Sequence, residues 1–166
     1  MANYPIINLE ELELVAHEAG ENFEASFGLI SKEAGTKHLG VRLTVLPPGK
    51  KAWPHHNHHG NDEVFVVLEG VGELRYGEQR YPLKNHDAAS CPAGGRETAH
   101  QIMNTGKEDL KFLAISSMRE PDITEYPDSE KLGLIAGSAP GGNPKERTIT
   151  AFVENAGDVD YWKGED

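Results

Sequence analysis

Four histidines stand within five positions, at His55, His56, His58 and His59, and Glu63 follows them. Side chains alternate between faces along a strand, so His56 and His58 share one face. Two imidazoles beside a carboxylate form a donor set that suits a divalent transition metal, because neutral nitrogen and charged oxygen are both good ligands for it. A single histidine here would read as a solvated loop residue. A pair two residues apart, followed by an acid at the head of an apolar run, reads as a metal site. That run is Val64-Phe65-Val66-Val67-Leu68. His55 and His59 fall off the pair, and neither they nor His17, His38 and His86 carry a spacing argument. Each of these is expected at the surface, with His55 or His59 able to serve as a hydrogen-bond partner of a ligand.

The elements that must position these residues are short strands. Phe23, Ala25, Phe27 and Leu29 alternate along one strand, and Leu39, Val41, Leu43 and Val45 alternate with Gly40, Arg42 and Thr44 along the next. Pro47-Pro48-Gly49 stops that strand, and Lys51 to His58 follows, interrupted by Pro54. Along residues 62–68, Glu63, Phe65 and Val67 share a face, and both faces are apolar beyond Glu63. Gly77-Glu78 is a two-residue hairpin signal between strands over 72–76 and 79–83. Further strands are expected over 88–91, 98–104, 110–116, 131–136 and along Ile149, Ala151 and Val153. On the strand over 98–104, His100, Thr98 and Ile102 share a face. Leu9, Leu12 and Leu14 fit either a helical turn or a short strand. Strands every eight to twelve residues, with glycine-bearing turns, imply an all-β barrel or sandwich.

Composition bounds the rest. A chain of 166 residues is one domain by length, with 18 glycines and 10 prolines favouring turns over long helices. With 27 acidic and 16 basic residues the formal charge is −11, which argues against a nucleic-acid partner. The single cysteine, Cys91, cannot form a disulfide within the chain and reads as a small buried apolar residue. The N-terminal stretch has no basic start and no long apolar run, and no window reaches transmembrane length, so a cytoplasmic protein without membrane contact is expected.

Gly49, His56, His58, Glu63 and Gly70 resemble the first motif of the cupin superfamily. Pro92-Ala93-Gly94 followed by His100 and Asn104 resembles the second, with two departures. Five residues, Gly95-Arg96-Glu97-Thr98-Ala99, stand between Gly94 and His100 where the family usually has two, and Asn85-His86-Asp87 replaces a usual glycine. The resemblance is firm over residues 38 to 118. Thr98-Ala99-His100-Gln101, Tyr126-Pro127-Asp128-Ser129 and Tyr161-Trp162-Lys163-Gly164-Glu165 narrow it to small single-domain cupins. It implies a double-stranded β-helix, the jelly-roll cupin barrel. The barrel core would lie at about 38–118 of a single domain over 1–166, with an extended C-terminal arm over 119–166 that wraps the barrel or reaches a partner subunit. It implies a metal held by His56, His58, Glu63 and His100, and a homodimer, in which the exposed-looking Trp162 would be covered.

Four protein ligands on an octahedral ion leave two open positions for water, oxygen or a bidentate substrate. The ion could be iron, manganese, nickel or zinc, since all accept imidazole and carboxylate. Trp53, Phe65, Arg96 and Glu97 are candidates for the substrate pocket, the last two in the enlarged loop before His100. The expected function is a metal-dependent enzyme acting on a small polar metabolite, leaning to sugar-phosphate isomerisation. Oxygen-dependent cleavage by a dioxygenase, lyase chemistry, and a non-catalytic small-molecule or sugar-binding role stand beside it.

Overall fold

The computed structural model describes residues 6–154, 157 and 159–165. Among these residues the chain forms thirteen strands. They are β1 (Val15–Ala19), β2 (Phe23–Gly28), β3 (Leu39–Leu46), β4 (Asn57–His58), β5 (Glu63–Glu69), β6 (Gly72–Tyr76) and β7 (Gln79–Leu83). Then come β8 (Ala88–Cys91), β9 (His100–Asn104), β10 (Leu110–Ser117), β11 (Asp122–Tyr126), β12 (Lys131–Ala136) and β13 (Ile149–Glu154). One turn of helix, α1 (Ile30–Ala34), closes on Gly35 in the left-handed conformation. No helix among the described residues is long and apolar enough to cross a membrane.

The strands make three antiparallel sheets, ordered β1-β2-β3-β10-β5-β8, β13-β12-β11-β4 and β7-β6-β9. The two smaller sheets meet at a bridge between His56 and His100, where each backbone N–H donates to the other's carbonyl. The core lies between these layers and is built from Phe27, Leu46, Phe65, Val67, Ile102 and Phe112, among others. Both faces of β5 are apolar beyond Glu63 and burial of both is expected, but only Glu63, Phe65 and Val67 are buried, while the opposite face is half-buried. Along β3 the buried ends are Leu43, Thr44 and Leu46. Leu46 belongs to the core cluster, and Arg42, on the same strand face, therefore also points into the barrel.

The glycines of the first motif have a backbone reason. Gly49 and Gly70 both have positive φ, +76° and +87°. A Cβ on Gly70 would come within 2.5 Å of the Asp109 carbonyl oxygen, so both conformation and space exclude a side chain. Where the second motif lacks its usual glycine, His86 takes the left-handed conformation instead, with φ 71°. Its N–H donates to Val67 O at 2.9 Å, which holds the turn against β5. The extra residues before His100 coil into a 3₁₀ turn at Arg96–Thr98, closed by Thr98 and Ala99 N–H donating to Gly95 O and Arg96 O. They bulge outward and leave the register of β9 intact, with His100, Ile102 and Asn104 buried.

The C-terminal extension wraps the barrel. β11 pairs with β4 through Thr124↔His58 and Glu125↔Asn57, and β12 and β13 add to its other side. The extension thus supplies every strand that flanks β4. Trp162 remains 67% exposed. A chain ending after Glu120 would remove β11 and leave the buried strand β4 without its antiparallel partner. We expect such a truncation to lose its cooperative thermal transition. A sharp melt of the truncated chain, followed by circular dichroism, would contradict that.

Candidate metal centre

Three sheets converge on one cluster. Glu63 comes from the six-stranded sheet, His58 from the four-stranded sheet and His100 from the three-stranded sheet, while His56 sits on the bridge between the last two. Donor atoms of His56, His58 and Glu63 lie within 4.8 Å of one another. His100 joins from the Glu63 side, with Nε2 at 2.9 Å from Glu63 Oε2. The structure therefore brings together all four residues expected as ligands, three tightly and His100 through Glu63.

Each imidazole is oriented by its other nitrogen. His56 Nδ1–H donates to Pro54 O at 2.8 Å, and this fixes the tautomer that leaves Nε2 as a free lone pair. Pro54, which interrupts the strand, is what offers that carbonyl. His58 Nδ1 lies 2.6 Å from Asp122 Oδ2, a fully buried carboxylate that also accepts from Gly60 N–H at 2.9 Å. His100 Nδ1 faces Thr98 O at 3.1 Å. Carboxylate and carbonyl partners of this kind hold imidazoles for a metal and raise their basicity.

The electrostatics agree with that geometry. Burial, and the neighbouring His100 and His58, push the His56 imidazolium down to about 3, so this ring is neutral and its lone pair available. Burial alone would raise Glu63, but the hydrogen bond from His100 and the three surrounding imidazoles hold its carboxyl well below the usual carboxylate range. Burial likewise opposes charge on His100, yet contacts with Cys91 and Glu63 raise it. Without a metal, a proton on His100 Nε2 bridges to Glu63. A lone pair and a carboxylate oxygen so close together are otherwise compatible only if a cation lies between them. Three imidazoles and one carboxylate, each turned inward, fit a divalent transition ion.

The cluster lies on the wall of a cavity of about 390 Å³. Trp53 lines it, as expected, together with Tyr126, Ile135 and Phe152. Phe65 lies behind the cluster, its ring 5.5 Å from that of His100. Arg96 and Glu97 do not line the cavity. Arg96 is held outside by Glu125 and Glu130, at 3.0 and 2.6 Å, and Glu97 folds back onto Gly95 N–H. His59 is engaged by Glu125 at 2.7 Å. His55 departs from its expected surface position: it is buried, with neither ring nitrogen hydrogen-bonded and Asp128 at 3.6 Å.

Three residues of the site carried no signal in the sequence. Asp122 lies 64 positions from His58 and belongs to the extension. Arg42 lies on β3, where the apolar alternation draws attention to its neighbours; its guanidinium lies over Phe27 and Trp53, 5.2 and 5.0 Å from the ring centres. Arg147 comes from the loop between β12 and β13.

A sequence profile of the Cupin domain matches residues 42–116. The oxalate-binding protein of Thermotoga maritima is 37% identical over 90 residues, which cover 52% of this chain and 69% of that protein. The chain spans about half, or less, of the other curated relatives it matches. This chain belongs to the cupin family. Among solved structures, a provisionally assigned sugar phosphate isomerase from Acidithiobacillus ferrooxidans is 27% identical with a TM-score of 0.68, covering 82% of this chain and 80% of that one. A sugar phosphate isomerase of the cupin superfamily from Silicibacter pomeroyi, 23% identical, shares the fold with a TM-score of 0.74 over 95% of this chain and 98% of its own.

Replacing Asp122 by alanine would leave two buried donors, His58 Nδ1–H and Gly60 N–H, without an acceptor. Leaving a buried donor unpaired costs about 1–3 kcal/mol. Urea unfolding of chelator-treated Asp122→Ala should show a loss of that size, and an unchanged midpoint would mean that the pair contributes nothing.

Proposed function

We propose that this cupin is a metal-dependent enzyme acting on a small polar metabolite, with sugar-phosphate-isomerase-like activity. The observation that carries the reading is the placement of His56, His58 and Glu63 on the wall of a substrate-sized cavity, with His100 joined to them through Glu63. These four residues would hold one divalent ion, of iron, manganese, nickel or zinc. Bound there, it would polarise a substrate carbonyl or hydroxyl and lower the pKa of what it binds.

The chain's own groups do the rest. Arg42 lines the cavity and feels the charge of Glu63, so its guanidinium can stabilise negative charge that develops on a substrate oxygen. The Tyr126 ring stacks on His56 at 5.9 Å, and burial pushes its phenol up, so it stays protonated and can donate a hydrogen bond to substrate. Trp53, Ile135 and Phe152 give the cavity apolar walls that limit water. Likeness to the Acidithiobacillus protein supports the isomerase reading. Likeness to the Thermotoga oxalate-binding protein supports a second one, in which a small anion is held without turnover.

The test is metal analysis of the purified protein together with a panel of aldose and ketose phosphates, followed by proton NMR in deuterium oxide. The expected result is stoichiometric metal and aldose–ketose exchange of at least one panel member. Alanine at His56, His58, Glu63 or His100 should lower metal content by comparable amounts. A metal-replete protein that turns over no panel member would favour binding without chemistry. Full metal in His100→Ala, with loss in His56→Ala and His58→Ala, would reduce the ligand set to the first motif.

A further inference from the structure

The cavity is basic in an acidic protein. The chain carries a formal charge of −11, yet Lys32, Arg42 and Arg147 line this cavity, and the single carboxylate among them, Glu63, is matched by imidazoles. Three other arginines have carboxylate partners: Arg75 with Asp128, Arg80 with Glu73, and Arg96 with Glu125 and Glu130; Arg119, which does not line the cavity, has none among the described residues. Arg42 and Arg147 have none among the described residues. Arg42 makes no hydrogen bond there and is held by two aromatic rings. Its guanidinium is desolvated and has only the two rings and the charge of Glu63 to offset that, with no hydrogen-bond acceptor among the described residues.

Arg147 is built differently. Its Nη2 donates to the carbonyls of Ala139 and Pro140, which fixes the guanidinium plane against the 137–148 loop. Its Nε is buried with no acceptor, and Nη1 makes no hydrogen bond among the described residues. A guanidinium anchored at one corner in the lining of a cavity, with Nη1 free of any protein acceptor among the described residues, is preorganised for a planar or tetrahedral oxyanion. An acidic exterior with a basic cavity also focuses the field inward, onto a small anion.

We propose that Arg147 is the anion anchor of this cavity, and that the ligand is a phosphorylated small molecule. Its phosphate lies toward the 137–148 loop and its unphosphorylated end lies on the His56, His58 and Glu63 cluster, with Arg42 facing the oxygen atoms between. The volume favours phosphate on a carbon chain over a bare dicarboxylate: a two-carbon dianion would leave most of a cavity of about 390 Å³ unfilled. The orientation rests on the metal reading for the cluster end; the anchor itself does not.

Inorganic phosphate is the probe, titrated into the full-length, chelator-treated protein and followed by calorimetry, so that a metal cannot supply the binding. Wild type should bind phosphate, and Arg147→Gln should weaken binding at least tenfold, while its metal content after reloading stays at the wild-type level. Arg147→Lys should recover part of the loss. Arg42→Lys keeps a charge among the rings and serves as a folded control for that side of the cavity; it should weaken phosphate less than Arg147→Gln. Oxalate, titrated in parallel, should bind more weakly than phosphate. Equal phosphate binding by wild type and Arg147→Gln, no binding by wild type, or tighter binding of oxalate would each overturn the proposal. Arg147-dependent phosphate binding by a protein that never takes up metal would sink the metal reading and leave the anchor standing.

Discussion

A buried carboxylate must be neutralised where it stands, and Glu63 is that carboxylate. It sits at the start of β5, on the face that carries Phe65 and Val67 into the core. A lone charge there would be strongly destabilising, because the interior cannot replace the water it lost. The fold answers by delivering three imidazoles to it from the other sheets. Once those imidazoles are buried as well, their second nitrogens need partners, and Pro54 O, Asp122 and Thr98 O supply them. One buried charge thus fixes the ends of strands from all three sheets. A metal ion held here would compete with a proton for the space between His100 and Glu63, so the contacts that neutralise the buried charge are also those that would hold the ion.

The C-terminal extension completes this arrangement. It pairs with the short ligand strand β4, places Asp122 behind His58, and lines the cavity with Tyr126, Ile135, Arg147 and Phe152. The first cupin motif supplies His56, His58 and Glu63, but most of the other residues that line the cavity lie outside the family profile, which spans residues 42–116.

Much of the centre was legible because it is local. His56 and His58 are two residues apart, Glu63 opens an apolar strand, and a period of two predicts which faces they share. The second motif was legible through its intact His100-to-Asn104 spacing, and the enlarged loop folds into a 3₁₀ turn without shifting the register. What stayed hidden depends on distant pairing. Along β3 the apolar alternation selects Leu39, Val41, Leu43 and Val45, yet Leu39 is 52% exposed and Arg42 turns inward under Phe27 and Trp53. Arg96 looked free in its loop because Glu125 and Glu130, its partners, are 29 and 34 positions away. His55 carried no spacing argument and its expected place was the surface, yet it is buried beside Asp128, 73 positions on in the chain.

The central claim is that one ion occupies the meeting point of the three sheets. Anomalous diffraction from crystals of the metal-loaded protein, collected across the absorption edge of the bound metal, tests it directly. The account predicts a single strong peak within coordination distance of His56 Nε2, His58 Nε2, His100 Nε2 and a Glu63 oxygen, about 2.0–2.2 Å from each. A peak elsewhere in the molecule, or an undisplaced 2.9 Å contact between His100 and Glu63 with no ion beside it, would contradict it.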